Sequence, residues 1–254
     1  MLSGKTSEVQ KFYDKETVRY ISERYSGESC EHVSYLTRKQ IVLDYLQGAC
    51  GSVLDAGCGP AIFTRELVGM GLRPCCADLS LGMLKKACSL AKLGDQVQWV
   101  NCEIERLPFR DETFDNLIAI GVLAYANYTL NAVREITRVL RPGGLLIVQC
   151  SNSLAPTPII QSLKDNMLFR LGLRRKRLHF ELARHSYGHF HKILKKFGML
   201  ITRKGSYDFR LPFIEKFFPR IAIHLMRKNQ TILQNSNLLG WLGEGYVVKA
   251  RKIK

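Results

Sequence analysis

Apolar and polar positions alternate along the chain between short strand-like runs and helical stripes. SVLDAG (52–57), LRPCCADLS (72–80), VQWVNCEI (97–104), FDNLIAIGVLAY (114–125) and LLIVQCSN (145–152) are short apolar runs bounded by glycine or polar residues, as buried strands are. Between them, AIFTRELVGMG (61–71), LGMLKKACSLAKLG (81–94) and TLNAVREITRVLRPGG (129–144) carry apolar residues at helical spacing and end at glycine. Ahead of the first strand, Val18, Ile21 and Tyr25, then Ile41, Val42, Tyr45 and Leu46, predict helix over 5–48, broken by a loop at SGESCEHVS (26–34). After residue 152 the rhythm changes. Residues 153–184 read as an irregular basic insertion, and SYGHFHKILKKFGM (186–199) predicts a helix. MLITRKGSYDF (199–209) and GYVVKARKI (245–253) predict two strands that pair antiparallel at the sheet edge, with 211–242 inserted between them.

Strands alternating with helices imply βαβ units, a parallel sheet buried on both faces and an α/β fold. A length of 254 residues suits one domain, 1–254, with an N-terminal helical part (1–48), a core (50–152) and the two insertions (153–184 and 211–242). No apolar run of 18 residues suggests a membrane span, and the polar N-terminus offers no apolar stretch for a secretory signal, so a cytoplasmic protein is expected. Of the eight cysteines, Cys58 sits in the glycine-rich turn and Cys75, Cys76 and Cys150 in predicted strands, and no C-x-x-C pair occurs, which reads as reduced thiols and no zinc site.

The chemistry concentrates at VLDAGCGPAIF (53–63). In an open α/β sheet, ligands bind beyond the carboxyl ends of the strands at the point where strand order reverses, so the first βα turn is the place to look. Gly57 and Gly59 let a ligand approach the backbone, next to the expected N–H groups of a following helix. A dinucleotide fingerprint wants a third glycine where Ile62 stands, and Asp55 would face a pyrophosphate badly. A carboxylate there suits a ligand with an amino group. Asp78, at the end of the second strand, can accept hydrogen bonds from both hydroxyls of a ribose; its competing role is to cap the helix that follows.

Taken together, VLDAGCGPA, ADLSLGML, CEIERLPFRDETFD and LRPGGLLIV, in this order over residues 50–150, resemble the class I S-adenosylmethionine-dependent methyltransferases, in particular the quinone-biosynthesis and small-molecule branch. The resemblance implies a Rossmann-like sheet of seven strands with helices on both faces, an N-terminal helical lid, and S-adenosylmethionine as cofactor. It places Asp55, Gly57, Cys58 and Gly59 along the methionine part, Asp78 on the ribose, and Leu79 and Met83 beside the adenine. Glu103 stands where the family has an aspartate that accepts from the adenine amino group, and Ile104 follows it. Gly121 is implied as a backbone contact, and Arg38 as a partner of the cofactor carboxylate. Tyr13, Tyr20 and Tyr25 can lid the pocket or pack as ordinary core.

Methyl transfer is an in-line displacement at an activated carbon, so alignment and exclusion of water matter more than a dedicated base. The motifs therefore leave the acceptor atom, O, N or C, open. Tyr125 after the fourth strand, and His185 and His189 on one helical face, are the candidate acid–base groups; no third ligand makes the histidines a metal site. In LPFIEKFFPRIAIHLMRK, residues Phe213, Phe217, Ile221 and Leu225 recur every four positions, widened by Ile214 and Phe218, and Pro219 kinks or restarts the helix; the apolar face suits a cap helix, a substrate lid or a membrane-surface helix. The net charge is +16, and residues 161–204 alone hold twelve Lys or Arg against two acids. Such a patch fits a solvated face, an anionic acceptor, an anionic membrane surface touched peripherally, or nucleic acid. A small-molecule or lipid-like acceptor is the expectation. An RNA methyltransferase is the alternative, against which no aromatic-interleaved basic motif is visible. A non-catalytic protein that keeps the fold is the third reading, and the intact glycines and both acids argue against it.

Overall fold

The computed structural model describes residues 4–25, 29–157, 159–160, 167, 170, 182–210, 212–234, 236 and 239–253, except the side chains of 16–25, 212–213 and 231–232. Seven strands form one sheet: β1 (Ser52–Ala56), β2 (Arg73–Asp78), β3 (Gln98–Asn101), β4 (Phe114–Ala119), β5 (Leu140–Ser151), β6 (Met199–Tyr207) and β7 (Gly245–Lys252). Their order across the sheet is β3-β2-β1-β4-β5-β7-β6. The first five run parallel, and β7 pairs antiparallel with both β5 and β6. The expected antiparallel pair is thus present, but its second strand lies inside the sheet and β6 forms the edge.

Helices cover both faces because successive strand residues point to opposite sides. On one face Leu54, Leu117 and Leu146 pack with Val133 and Ile136 of α5 (Thr129–Val139) and Phe190 and Leu194 of α6 (Tyr187–Lys196). On the other, their neighbours Val53, Ile118 and Ile147 pack with Ile41, Val42 and Tyr45 of α2 (Cys30–Leu46) and Leu67 of α3 (Thr64–Gly69). Cys76 meets Leu84 and Ala87 of α4 (Leu81–Ala91). Each aliphatic side chain of this kind contributes about 1.5–3 kcal/mol by leaving water. The near-continuous apolar strands are therefore what a doubly covered sheet requires.

Two boundaries differ from the pattern-based expectation, and a third, at Pro219, falls where a proline is expected to restart a helix. The predicted loop at 26–34 is helical from Cys30, because Ser29 caps α2 by accepting from His32 N at 3.1 Å. The helix expected from Ala61 begins only at Thr64, because the glycine-rich turn runs on through Ala61, whose φ is +55°. In the second insertion, α7 (Pro212–Phe217) ends before Pro219, which opens α8 (Pro219–Leu233) at its first turn. That restart breaks the four-residue register expected from Phe213 to Leu225. Ala222, Ile223 and Met226 are buried against Cys30 and Val33 of α2, while Phe217 and Ile221 face outward and the Phe213 side chain lies outside the described residues. Most of the insertion at 153–184 also lies outside them. Among the described residues, no helix is long and apolar enough to cross a membrane, and no cluster of His, Cys, Asp or Glu could hold a metal ion.

Candidate active site

Strand order reverses between β1 and β4, and a cavity of about 300 Å³ opens beyond their carboxyl ends. That volume sits at the lower end of the range, roughly 300–1,000 Å³, found for small-molecule sites. Asp55 is the fourth residue of β1, paired in register with Cys76 and Ile118, and 1% exposed. Its Oδ2 is buried and, among the described residues, has no hydrogen-bond partner. Burial and the nearby Asp78 carboxyl push its pKa up to about 8. A buried carboxyl oxygen with no partner is expensive unless a ligand supplies a donor or a cation.

The turn after β1 is built for close approach. Gly57 has φ +74°, and a Cβ there would lie 2.4 Å from Val122 Cβ, so a side chain is excluded twice over. At Gly59, with φ +51°, a Cβ would meet nothing within 4 Å: its space is open cavity. The amides of Gly57 and Cys58 both donate to Ala77 O, at 2.7 and 3.0 Å, which ties the turn to β2. Gly59 N donates to Asp78 Oδ2 at 2.8 Å, and Ser80 N to Asp78 Oδ1 at 2.9 Å. Asp78 is therefore not the helix cap; Ser80 is, accepting from Met83 N at 3.1 Å. Asp78 instead links the turn after β1 to the start of α4 with a carboxylate that still lines the cavity. Burial raises its pKa against the lowering pull of the Ser80 and Gly59 amides, and the neighbouring Asp14 raises it further.

All eleven residues expected to bind the cofactor line this one cavity: Arg38, Asp55, Gly57, Cys58, Gly59, Asp78, Leu79, Met83, Glu103, Ile104 and Gly121. Helix α1 (Gly4–Tyr25) roofs it with Thr6, Val9, Gln10 and Tyr13. Thr6 Oγ1 donates to Glu103 Oε1 at 2.8 Å, Gln10 Nε2 to Leu79 O at 3.3 Å, and Lys5 Nζ to Ala126 O at 2.9 Å. Asp14 accepts from Ser80 Oγ at 2.5 Å and Gly82 N at 3.0 Å, so α1 is latched onto the start of α4. The side chains of Tyr20 and Tyr25 lie outside the described residues.

Of the candidate acid–base groups, Tyr125 lines the cavity, its ring edge-on to Tyr13 at 5.3 Å between centroids. His185 and His189 do not line it. His185 Nε2 meets Thr129 Oγ1 at 2.9 Å and its ring stacks on His189, 5.4 Å away; burial and then His189 lower its pKa. Gln149 and Tyr207 are among the lining residues that the motifs did not mark. Gln149 on β5 is 4% exposed, and Tyr207 ends β6 with the Arg38 guanidinium 5.9 Å from its ring centre. A Cβ on Gly121 would lie 3.7 Å from Arg38 Nη1 and 3.8 Å from Gln149 Oε1, which places both side chains at one polar corner. Only the strand alternation at 145–152 could have pointed to Gln149.

Residues 54–148 match the family model described as a methyltransferase domain. They are a methyltransferase domain. The whole chain has the class I fold of the S-adenosylmethionine-dependent methyltransferases. The demethylmenaquinone methyltransferase of Mycobacterium bovis (strain BCG / Pasteur 1173P2) is 42% identical over 119 residues, which are 46% of this chain and 48% of that protein. The chain thus spans about half the length of the curated relatives it matches. Magnesium protoporphyrin IX methyltransferase from Synechocystis PCC 6803, solved with bound S-adenosylhomocysteine, superposes with a TM-score of 0.67 at 16% identity, over 97% of this chain and 99% of that one. The cyclase SpnF superposes with a TM-score of 0.65 at 18% identity, over 97% and 96%. These likenesses fix the fold of the methyltransferase domain and its surroundings; the reaction has to be argued from the cavity.

Proposed function

We propose that this chain binds S-adenosylmethionine in the cavity and transfers its methyl group to a small, largely apolar acceptor. The buried Oδ2 of Asp55, without a partner among the described residues, carries the reading, because Asp55 lines the same cavity as Asp78 and the bare Gly59 turn. A ligand with an ammonium group at one end and a ribose at the other satisfies both acids. A dinucleotide would bring a pyrophosphate towards Asp55, where like charge opposes it. When bound, S-adenosylmethionine supplies a methyl group activated by a sulfonium.

The chain's own residues bind, orient and enclose. Asp55 accepts from the ammonium, and Asp78, already aligned by two amides, accepts from the ribose hydroxyls. Arg38 at the Gly121 corner faces the cofactor carboxylate, with Gln149 as a further donor. Leu79, Met83 and Ile104 flank the adenine, and Glu103, held by Thr6, lies at its amino edge. Closure by α1 excludes water from the reacting atoms. The acceptor enters on the side of Tyr13, Tyr125 and Leu182, where two aromatic rings and a leucine favour a flat apolar molecule over a phosphate chain. The 42% identity over 119 residues to a demethylmenaquinone methyltransferase agrees with a quinone-like acceptor. Tyr125 positions that acceptor, and a cytoplasmic location follows from the same reading. The test is transfer of radiolabelled methyl from S-adenosylmethionine to reduced naphthoquinones, with transfer RNA as the competing acceptor. Label in the quinol fraction is expected; label in RNA alone would overturn the acceptor class.

A further inference from the structure

We propose that the elbow between α7 and α8 docks the protein on an anionic phospholipid surface. Phe217, Phe218 and Ile221 lie within five residues of this elbow and are 54%, 58% and 52% exposed. Three large apolar side chains in one surface patch gain nothing from water. The opposite side of α8 is already used: Ala222, Ile223 and Met226 are buried against Cys30 and Val33, which fixes the outward direction of the rest. Around the apolar tip the exposed residues are cationic: Lys216, Arg220, Arg227 and Lys228, with His224 among them. Lys216 Nζ sits 5.2 Å above the Phe217 ring, so charge and apolar surface are interleaved. No acidic residue occurs between Glu215 and Glu244, and Glu215 itself leans towards Arg210, with 3.9 Å between Oε1 and Nη1.

This is the chemistry of a peripheral lipid contact: apolar tips enter the acyl boundary while lysine and arginine engage the phosphates. A nucleic-acid backbone would satisfy the cations and leave Ile221, which has no π face for a base to stack on, against water. The inference stands on this surface alone and is independent of what the cavity binds.

The test is flotation of the full chain with vesicles of phosphatidylcholine, and with vesicles in which about one-third of the lipid is phosphatidylglycerol. Binding to the anionic vesicles alone, released by high salt, is expected. The pair Phe217→Ser and Phe218→Ser, and separately Arg220→Glu with Lys228→Glu, should each weaken binding about tenfold or more, with thermal melting unchanged because the side chains are exposed. Equal binding to neutral vesicles, no binding to either kind, or full binding by both variants would overturn the proposal. So would displacement from anionic vesicles by a short RNA at comparable phosphate concentration.

Discussion

Asp55 is the residue on which the account turns. With its pKa pushed up to about 8 by burial and by Asp78, it holds its proton at pH 7. An ammonium group seated against it favours the ionised form, so binding must expel that proton. The sign follows: cofactor affinity falls as pH drops below about 8, by up to about tenfold per unit, and falls again at higher pH, where the ammonium itself loses its proton. Titration calorimetry at pH 7 in two buffers of different ionisation heat should show close to one proton released, and Asp55→Asn should abolish the release. No proton exchange in the native protein would remove Asp55 from the ammonium. Both acids were legible in the sequence because they end adjacent strands at a fixed distance from the glycines. Gln149 and Tyr207 were not, because they reach the cavity from β5 and β6, brought together by strand order rather than by spacing along the chain. His185 illustrates the converse. Its spacing to His189 was readable, but its Thr129 contact and the stack behind it place it in the wall outside the cavity.

Helices and turns decide access. The turn after β1 cannot take a side chain at Gly57, where a left-handed backbone of about 1–2 kcal/mol would add to a clash with Val122 of about 1–3 kcal/mol. Helix α1 closes the cavity through few polar contacts, of which the Asp14 latch on Ser80 and Gly82 is charge-assisted, a class worth about 1.5–3 kcal/mol. Asp14→Ala should therefore speed release of S-adenosylhomocysteine about tenfold, while Asp14→Asn, which keeps an acceptor, should restore slow release. Stopped-flow displacement would measure both; equal rates in all three proteins would mean that α1 does not gate the cavity. The helical character of 5–48 was visible in its periodicity and the family resemblance implied a lid, but the polar contacts that hold it were not legible. Thr6, Gln10 and Asp14 are polar residues on an exposed-looking stretch, and only the fold sets them over α4 and the end of β2. The restart at Pro219 was legible from the proline itself; which residues of Phe213–Leu225 it turns outward was not.

At the scale of the molecule, the sheet order β3-β2-β1-β4-β5-β7-β6 collects residues from α1, α2 and the ends of four strands around one cavity. The alternation of apolar strands and amphipathic helices over 50–152 was enough to foresee the parallel part. The placement of β7 between β5 and β6 was not, since two terminal strands of similar pattern carry no signal for which lies at the edge. The basic excess of the chain was plain from composition, yet its distribution is a property of the folded surface. The α7–α8 elbow combines cations with exposed aromatics, one of the roles the sequence left open for this apolar face; the fold decides which residues it exposes. The central claim, that the cavity is made for S-adenosylmethionine, is tested most directly by calorimetric titration of the native chain and of Asp78→Ala, with NAD as the control ligand. The account predicts micromolar binding of S-adenosylmethionine, loss of about tenfold or more in Asp78→Ala with the melting temperature little changed, and no binding of NAD. Equal affinity of the native and Asp78→Ala proteins, or binding of NAD in place of S-adenosylmethionine, would contradict it.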